Sequence, residues 1–101
     1  MDTIKQNNIL NTKNNFVLPW IKYLENIRGY GVHTLDAYKR DVVEFLKFCT
    51  ERNHDFLSTD KYILREFLSV LSERELSRPT VARKISSLKN FFKFLLIDKV
   101  M

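Results

Sequence analysis

The stretch SRPTVARKISSLKNFFKFLL, Ser77 to Leu96, decides how the rest of this 101-residue chain is read. Its apolar residues Val81, Ile85, Leu88, Phe92 and Leu95 recur at spacings of four, three, four and three. That rhythm stacks them on one stripe of a helix, and a stripe of this kind needs a core to cover it. From Arg78 to Lys93 the same segment carries Arg78, Arg83, Lys84, Lys89 and Lys93 and no acidic residue. Whatever faces away from the core is therefore positive. Ser77 is a good N-cap, with Pro79 and Thr80 in the first turn, where hydroxyls satisfy some orphan amides and leave others for an anion.

Before this stretch the chain offers three more amphipathic segments. A first helix is expected from about Leu18 to Arg28, with Pro19 in its first turn and Trp20, Ile21, Leu24 and Ile27 turned inward. Gly29 supplies a left-handed cap and Gly31 a tolerable N-cap for the next helix. That second helix is expected from Val32 to Arg52, with Leu35, Tyr38, Val42, Phe45, Leu46 and Cys49 on one face. Asp36, Arg40, Glu44, Lys47 and Glu51 take the opposite face, where mixed signs predict plain solubility. After a loop from Asn53 to Ser58, Thr59 is the expected N-cap of a third helix reaching Glu73, with Ile63, Leu64, Phe67, Leu68 and Leu71 inward.

Two Gly and two Pro in the whole chain leave few breakers. Together with the many Leu, Lys, Glu and Phe residues, this favours an all-α fold: a compact bundle of four main helices. The length suits one modest core. Met1 to Asn15 shows no sustained period and is expected to be a flexible N-terminal arm, either a plain leader or one that reaches a partner. The helical domain is expected over residues 16–97. Residues 98–101 are expected to begin a linker, since the fourth helix ends without a stop signal and the chain is expected to continue in a parent protein.

A formal charge of +5 suits nucleic acid or an acidic membrane surface. Cys49 is the sole cysteine, so neither an internal disulfide nor a thiolate metal cluster can form. It falls on the buried stripe and reads as a small core residue in a reducing, cytoplasmic setting. The segment lacks an apolar run near the roughly 20 residues that span a bilayer, and its N-terminus lacks a secretory signal's apolar core. No membrane association is expected. His33 and His54 have no metal-spaced partner and read as surface histidines. Without a glycine-rich phosphate loop or a nucleophile–base pair, neither a catalytic residue, a metal nor a cofactor is expected in this chain.

Thr80, Arg83, Lys84 and Ser87 project as one patch beside the apolar stripe of the fourth helix. Arg grips phosphate or a guanine edge in bidentate fashion, Lys adds a point charge, and hydroxyls donate to phosphate oxygens. A helix so decorated fits a major groove. The alternative is a solvated basic face. Lys89 and Lys93 fall on the other flank and read as solubilising charges. On the second helix only the first turns, with Thr34, Tyr38, Lys39 and Arg40, look able to reach a phosphate.

The run RGYGVHTLDAYKRDVVEFLKFC, followed by LREFLSVLSERELSRPTVARKISSLKNFFKFL, resembles the N-terminal core-binding, or SAM-like, domain of the tyrosine recombinases, closest to the Xer type and related to phage integrases. The resemblance rests on Thr34-x-x-Ala37-Tyr38-x-x-Asp41 with Phe45, and on Ser77-x-x-Thr80-x-x-Arg83-x-x-Ser86-x-Leu88-x-x-Phe91-Phe92. It covers roughly Phe16 to Leu96. It implies a helical domain forming half of a clamp around double-stranded DNA, with the second and fourth helices crossing the groove. A catalytic domain carrying the tyrosine nucleophile would follow, and other recombinase protomers would be partners through the parent protein, the isolated domain being a monomer. By motif the resemblance assigns DNA contact to Thr34, Tyr38, Arg83 and Ser87, and the charge argument adds Arg78, Thr80 and Lys84. Gly31 and Lys89 depart from the family's frequent Ser and Arg. Lys89 keeps the charge but lacks the fork.

Two positions carry a structural reading beside the functional one. Tyr38 sits centrally on the buried stripe, so packing competes with DNA contact. Asp41 cannot attract phosphate, and it is expected to pair with Arg83 or another cation of the fourth helix, fixing the geometry of the two helices. The rival class of function is a helical protein-interaction module whose basic face receives an acidic partner.

Overall fold

The computed structural model describes residues 12–97, all of whose regular structure is helical. A π-helical turn, Lys13–Val17, runs straight into α1, Leu18–Asn26. Then come α2, Val32–Glu51, a short 3-10 turn at Phe56–Ser58, α3, Lys61–Ser72, and α4, Arg78–Ile97. Four main helices and no strand among the described residues make the all-α bundle that the sequence predicts.

Helical structure begins earlier than Leu18. Pro19 has no amide to return to the carbonyl four residues back, and the chain instead closes a wider ring in which the Leu18 N–H reaches Lys13 O. Packing holds this turn in place: Val17 is fully buried, and Phe16 meets Phe56 edge-on at 5.4 Å. The part of the expected arm from residue 1 to 11 lies outside the described residues. At the other end of α1, Gly29 takes φ +67° and lets Tyr30 N–H return to Leu24 O at 3.1 Å, the left-handed stop expected there.

The expected cap of α3 is corrected by one residue. Asp60, not Thr59, caps it: its Oδ1 accepts from the N–H groups of Tyr62 and Ile63 at 3.0 and 3.1 Å. Thr59 donates to Phe56 O at 2.6 Å and closes the 3-10 turn. A carboxylate accepts two amides and complements the helix dipole, so it takes the cap over a hydroxyl. Ser77 caps α4 as expected, accepting from Thr80 N–H at 3.3 Å.

Helices α2 and α4 form the principal pairing. The core draws Trp20 and Leu24 from α1, Val42, Phe45, Leu46, Phe48 and Cys49 from α2, Phe67 and Leu71 from α3, and Leu88, Phe91, Phe94 and Leu95 from α4. Aromatic pairs tie it together, with Trp20 to Phe91 at 5.2 Å and Phe67 within 5.1 Å of both Phe45 and Phe48. Trp20 also donates through Nε1 to Asn90 Oδ1 at 3.0 Å, which satisfies its only polar atom. Cys49 is a core residue as expected, and burial pushes its thiol up to about 11.

The inward face of α4 is rotated from the expected stripe. Leu88 and Leu95 are buried, but Val81, Ile85 and Phe92 are only half-buried, and Lys84, Ser87, Phe91 and Phe94 take the inward positions. Turning the helix this way buries Phe91 and Phe94 in place of Phe92 and gives Lys84 and Ser87 an ionic partner on α2. Ile27, just past the end of α1, is exposed rather than inward, and His54 is half-buried rather than on the surface. No helix among the described residues is long and apolar enough to cross a membrane.

Candidate nucleic-acid interface

One buried carboxylate organises the meeting of α2 and α4. Asp41 is 1% exposed, and four hydrogen bonds converge on its two oxygens. Arg83 grips it side-on, Nε to Oδ2 at 2.9 Å and Nη2 to Oδ1 at 2.8 Å. Lys84 Nζ donates to Oδ1 at 3.1 Å and Ser87 Oγ donates to Oδ2 at 2.8 Å. The pairing of Asp41 with α4 expected from sequence is present, through three side chains of α4 rather than one. Burial raises the Asp41 pKa, but the hydrogen bonds from Arg83, Ser87 and Lys84 outweigh it and hold the carboxyl below its usual range. The Asp41 hydrogen bond in turn raises Arg83 above its already high value.

The network continues past Asp41. Lys84 Nζ also donates to Glu44 Oε1 at 2.9 Å, and Glu44 Oε2 accepts from Arg74 Nη1 at 2.7 Å just before α4 begins. Desolvation raises the Glu44 pKa, and the bonds from Lys84 and Arg74 more than reverse it. Glu44, expected on the solvated face, is instead half-buried in this network, and Arg74, a residue without an expected role, closes it. The signal was there: Asp41 and Glu44 stand three residues apart and so share one side of α2.

The seven sequence-predicted interface residues divide accordingly. Lys84 is 8% exposed and Ser87 wholly buried, so their polar atoms are engaged with α2. Arg83 keeps 40% of its side chain exposed. Its Nε and one Nη2 hydrogen are spent on Asp41, which leaves three N–H donors with no acceptor among the described residues. Arg78 is exposed at the start of α4, and Thr80 is half-buried against the Ser77 cap. On α2, Thr34 is exposed in the first turn. Tyr38 is half-buried, stacked on Trp20 at 6.2 Å and edge-on to Tyr30 at 5.8 Å. Burial, Tyr30 and the Asp41 charge together raise its phenol pKa, so it stays a neutral donor. The outward face of α4 carries Arg78, Ala82, Ser86, Lys89 and Lys93, with Arg83 on its edge. Lys89 and Lys93, read as solubilising from sequence, therefore share the open face with Arg78.

A second feature lies between α3 and α4. Leu64, Phe67, Leu68, Ile85, Leu88 and Phe92 line an apolar groove, with Lys89 and Lys93 at its rim and no acidic residue. Among the described residues no group of three His, Cys, Asp or Glu side chains is arranged to hold a metal.

Comparison with known proteins agrees with this architecture. The family described as phage integrase, N-terminal SAM-like domain, matches residues 18–99. A tyrosine recombinase XerC of Listeria welshimeri is 37% identical over 83 residues, 81% of this chain and 28% of the relative. The XerC of Anoxybacillus flavithermus is 38% identical over 89 residues, 86% of this chain and 30% of the relative. A tyrosine recombinase XerD of Bradyrhizobium diazoefficiens is 34% identical over 73 residues, covering 72% and 23% respectively. The chain thus spans less than a third of the length of these relatives. No solved structure matches it. The match across α1 to α4 and the identity to XerC and XerD proteins lead to one conclusion: the chain belongs to the phage integrase N-terminal SAM-like domain family of the tyrosine recombinases.

Proposed function

We propose that this chain is the DNA-binding, core-binding domain of a tyrosine site-specific recombinase, and that it clamps duplex DNA during DNA recombination. Chromosome-dimer resolution of the Xer type is favoured over phage or transposon integration. The chemistry of strand cleavage belongs to the rest of the parent protein, whose other protomers are the assembly partners in the cytoplasm. Catalytic residues are assigned elsewhere, and this chain supplies grip and orientation.

The observation that carries the reading is the open face of α4. Arg78, Lys89 and Lys93 lie exposed there beside a half-exposed Arg83, with no carboxylate on that face. Such a face attracts phosphate over the distance of a Debye length, and Arg83 can make a directed contact at its end. Thr34 and Tyr38 extend the footprint onto α2. The buried pair Lys84 and Ser87 serves the same surface indirectly, by holding α4 against α2.

Salt titration of duplex binding tests it. Phosphate contact predicts that log affinity falls linearly with log salt, by about 0.9 per phosphate neutralised. Arg83→Ala is expected to weaken binding more than Lys93→Ala. Equal losses would indicate diffuse charge, and no duplex binding at low salt would end the proposal.

The apolar groove favours a second reading. Its lining and its two lysines suit a partner helix with an apolar stripe flanked by carboxylates. Under that reading Phe92→Glu, which places a charge in the groove, abolishes partner binding. Under the DNA reading its effect on duplex affinity is small.

A further inference from the structure

The Asp41 cluster raises a question that plain charge attraction does not answer, namely why a DNA-facing helix would spend its best phosphate ligand on a carboxylate. Arg83 is half-exposed, and two of its five N–H donors are tied to Asp41. If charge were all that mattered, Asp41 would only weaken the surface.

The geometry points to a different role, which rests on the DNA-binding reading above: we propose that Asp41 is a positioning residue that clamps the inner edge of the Arg83 guanidinium so that its outer edge is presented, already oriented, to the nucleic acid. A planar guanidinium held through Nε and Nη2 has its Nη1 edge pointing away from the carboxylate, which leaves a second fork for a phosphate or a guanine edge. Holding it there removes rotamer freedom before DNA arrives, and the contact forms at lower entropic cost. Lys84 and Ser87 complete the arrangement. They supply the remaining two hydrogen bonds to Asp41, and the Lys84 charge neutralises it from the protein side. The carboxylate is buried and fully partnered, so it does not repel phosphate and does not need all of Arg83. Three cations, Arg74, Arg83 and Lys84, face two carboxylates, Asp41 and Glu44, and the cluster keeps one positive charge.

The decisive comparison is between two substitutions that change charge equally. Asp41→Asn and Glu44→Gln each remove one negative charge, yet only the first releases Arg83. Binding of each variant chain to a fluorescein-labelled mixed-sequence duplex is measured by anisotropy across a salt series, with melting temperature and amide NMR spectra as fold controls. Positioning predicts that Asp41→Asn weakens binding about 3- to 10-fold despite the gain in net charge, and lowers the salt slope by about 0.9, the value of one phosphate contact. Glu44→Gln is expected to hold or raise affinity. If Asp41→Asn binds as tightly as Glu44→Gln, the positioning role is overturned while DNA binding stands. If the unsubstituted chain binds no duplex at low salt, both readings fall together. Should Asp41→Asn fail to fold, Arg83→Lys decides: it keeps the charge on a half-exposed side chain but has no second fork. An affinity drop of about 5-fold supports orientation. Unchanged affinity overturns it.

Discussion

The two halves of α4 meet the rest of the molecule through opposite chemistry. From Arg78 to Ser87 the inward contacts are ionic, with Arg83, Lys84 and Ser87 gathered on Asp41. From Leu88 to Ile97 they are apolar and aromatic apart from the Asn90 hydrogen bond to Trp20, with Phe91 on Trp20 and Phe94 on Tyr23 at 5.3 Å. Burying aromatic rings is a large, undirected gain. A buried ion cluster adds little net stability because desolvation offsets attraction, but its bonds form at one rotation and register of the helix. The aromatic half accordingly holds the fold together, and the ionic half sets the angle at which α4 presents its outer face.

The largest expected effect comes from the aromatic half. Phe91→Ala empties a fully buried site and is expected to cost about 3–5 kcal/mol in urea unfolding. A loss below 1 kcal/mol would mean that the core does not depend on this half of α4.

Lys84→Met comes next. Methionine keeps the aliphatic stem but leaves Asp41 and Glu44 each one donor short, for an expected loss of about 1–3 kcal/mol. A neutral or stabilised variant would show that the cluster contributes orientation alone.

Acid sharpens the same contrast. Asp41 and Glu44 have folded-state pKa values below their ordinary ones, so their contribution is fully present above the unfolded-state value near pH 4. It is lost as pH falls through the lowered, folded-state values. The stability gap between the unsubstituted chain and Asp41→Asn should therefore hold steady from about pH 7 to about pH 5 and narrow as pH falls below about 4, read as the difference in melting temperature. The deficit of Phe91→Ala should not narrow in this way. The smallest effect on stability belongs to the open face: Arg78→Ala should change unfolding by no more than about 0.5 kcal/mol while weakening duplex binding.

The sequence made the helices easier to read than their rotation. Periodicity placed all four helices within a few residues, and Gly29 and Ser77 stop and start them as glycine and serine chemistry requires. Rotation of α4 was not legible, because the stripe through Val81, Ile85 and Phe92 is wholly apolar, whereas the inward face through Phe91 and Phe94 also takes in Lys84 and Ser87. What separates them is the carboxylate of Asp41, forty-odd residues away in sequence. A lysine and a serine on an inward face look like solvent-facing residues until their acceptor is known. The Asp41 to Arg83 pairing could be anticipated because a carboxylate at a motif position opposite a basic helix cannot attract phosphate and needs a cation instead. The extension through Glu44 to Arg74 could not be weighed the same way, since an acid among alternating charges needs no such partner. The helical turn at Lys13–Val17 was hidden by the polar residues around it and by Pro19, whose missing amide makes the π turn favourable.

The contrast between the halves of α4 is most directly tested by amide chemical-shift mapping with duplex DNA added to the labelled chain. Shifts are expected to concentrate from Arg78 to Lys89 and from Thr34 to Arg40, with Phe91 and Leu95 nearly unmoved. Shifts centred instead on Leu64, Leu68 and Phe92 along the apolar groove, or spread evenly over every basic residue, would contradict that contrast.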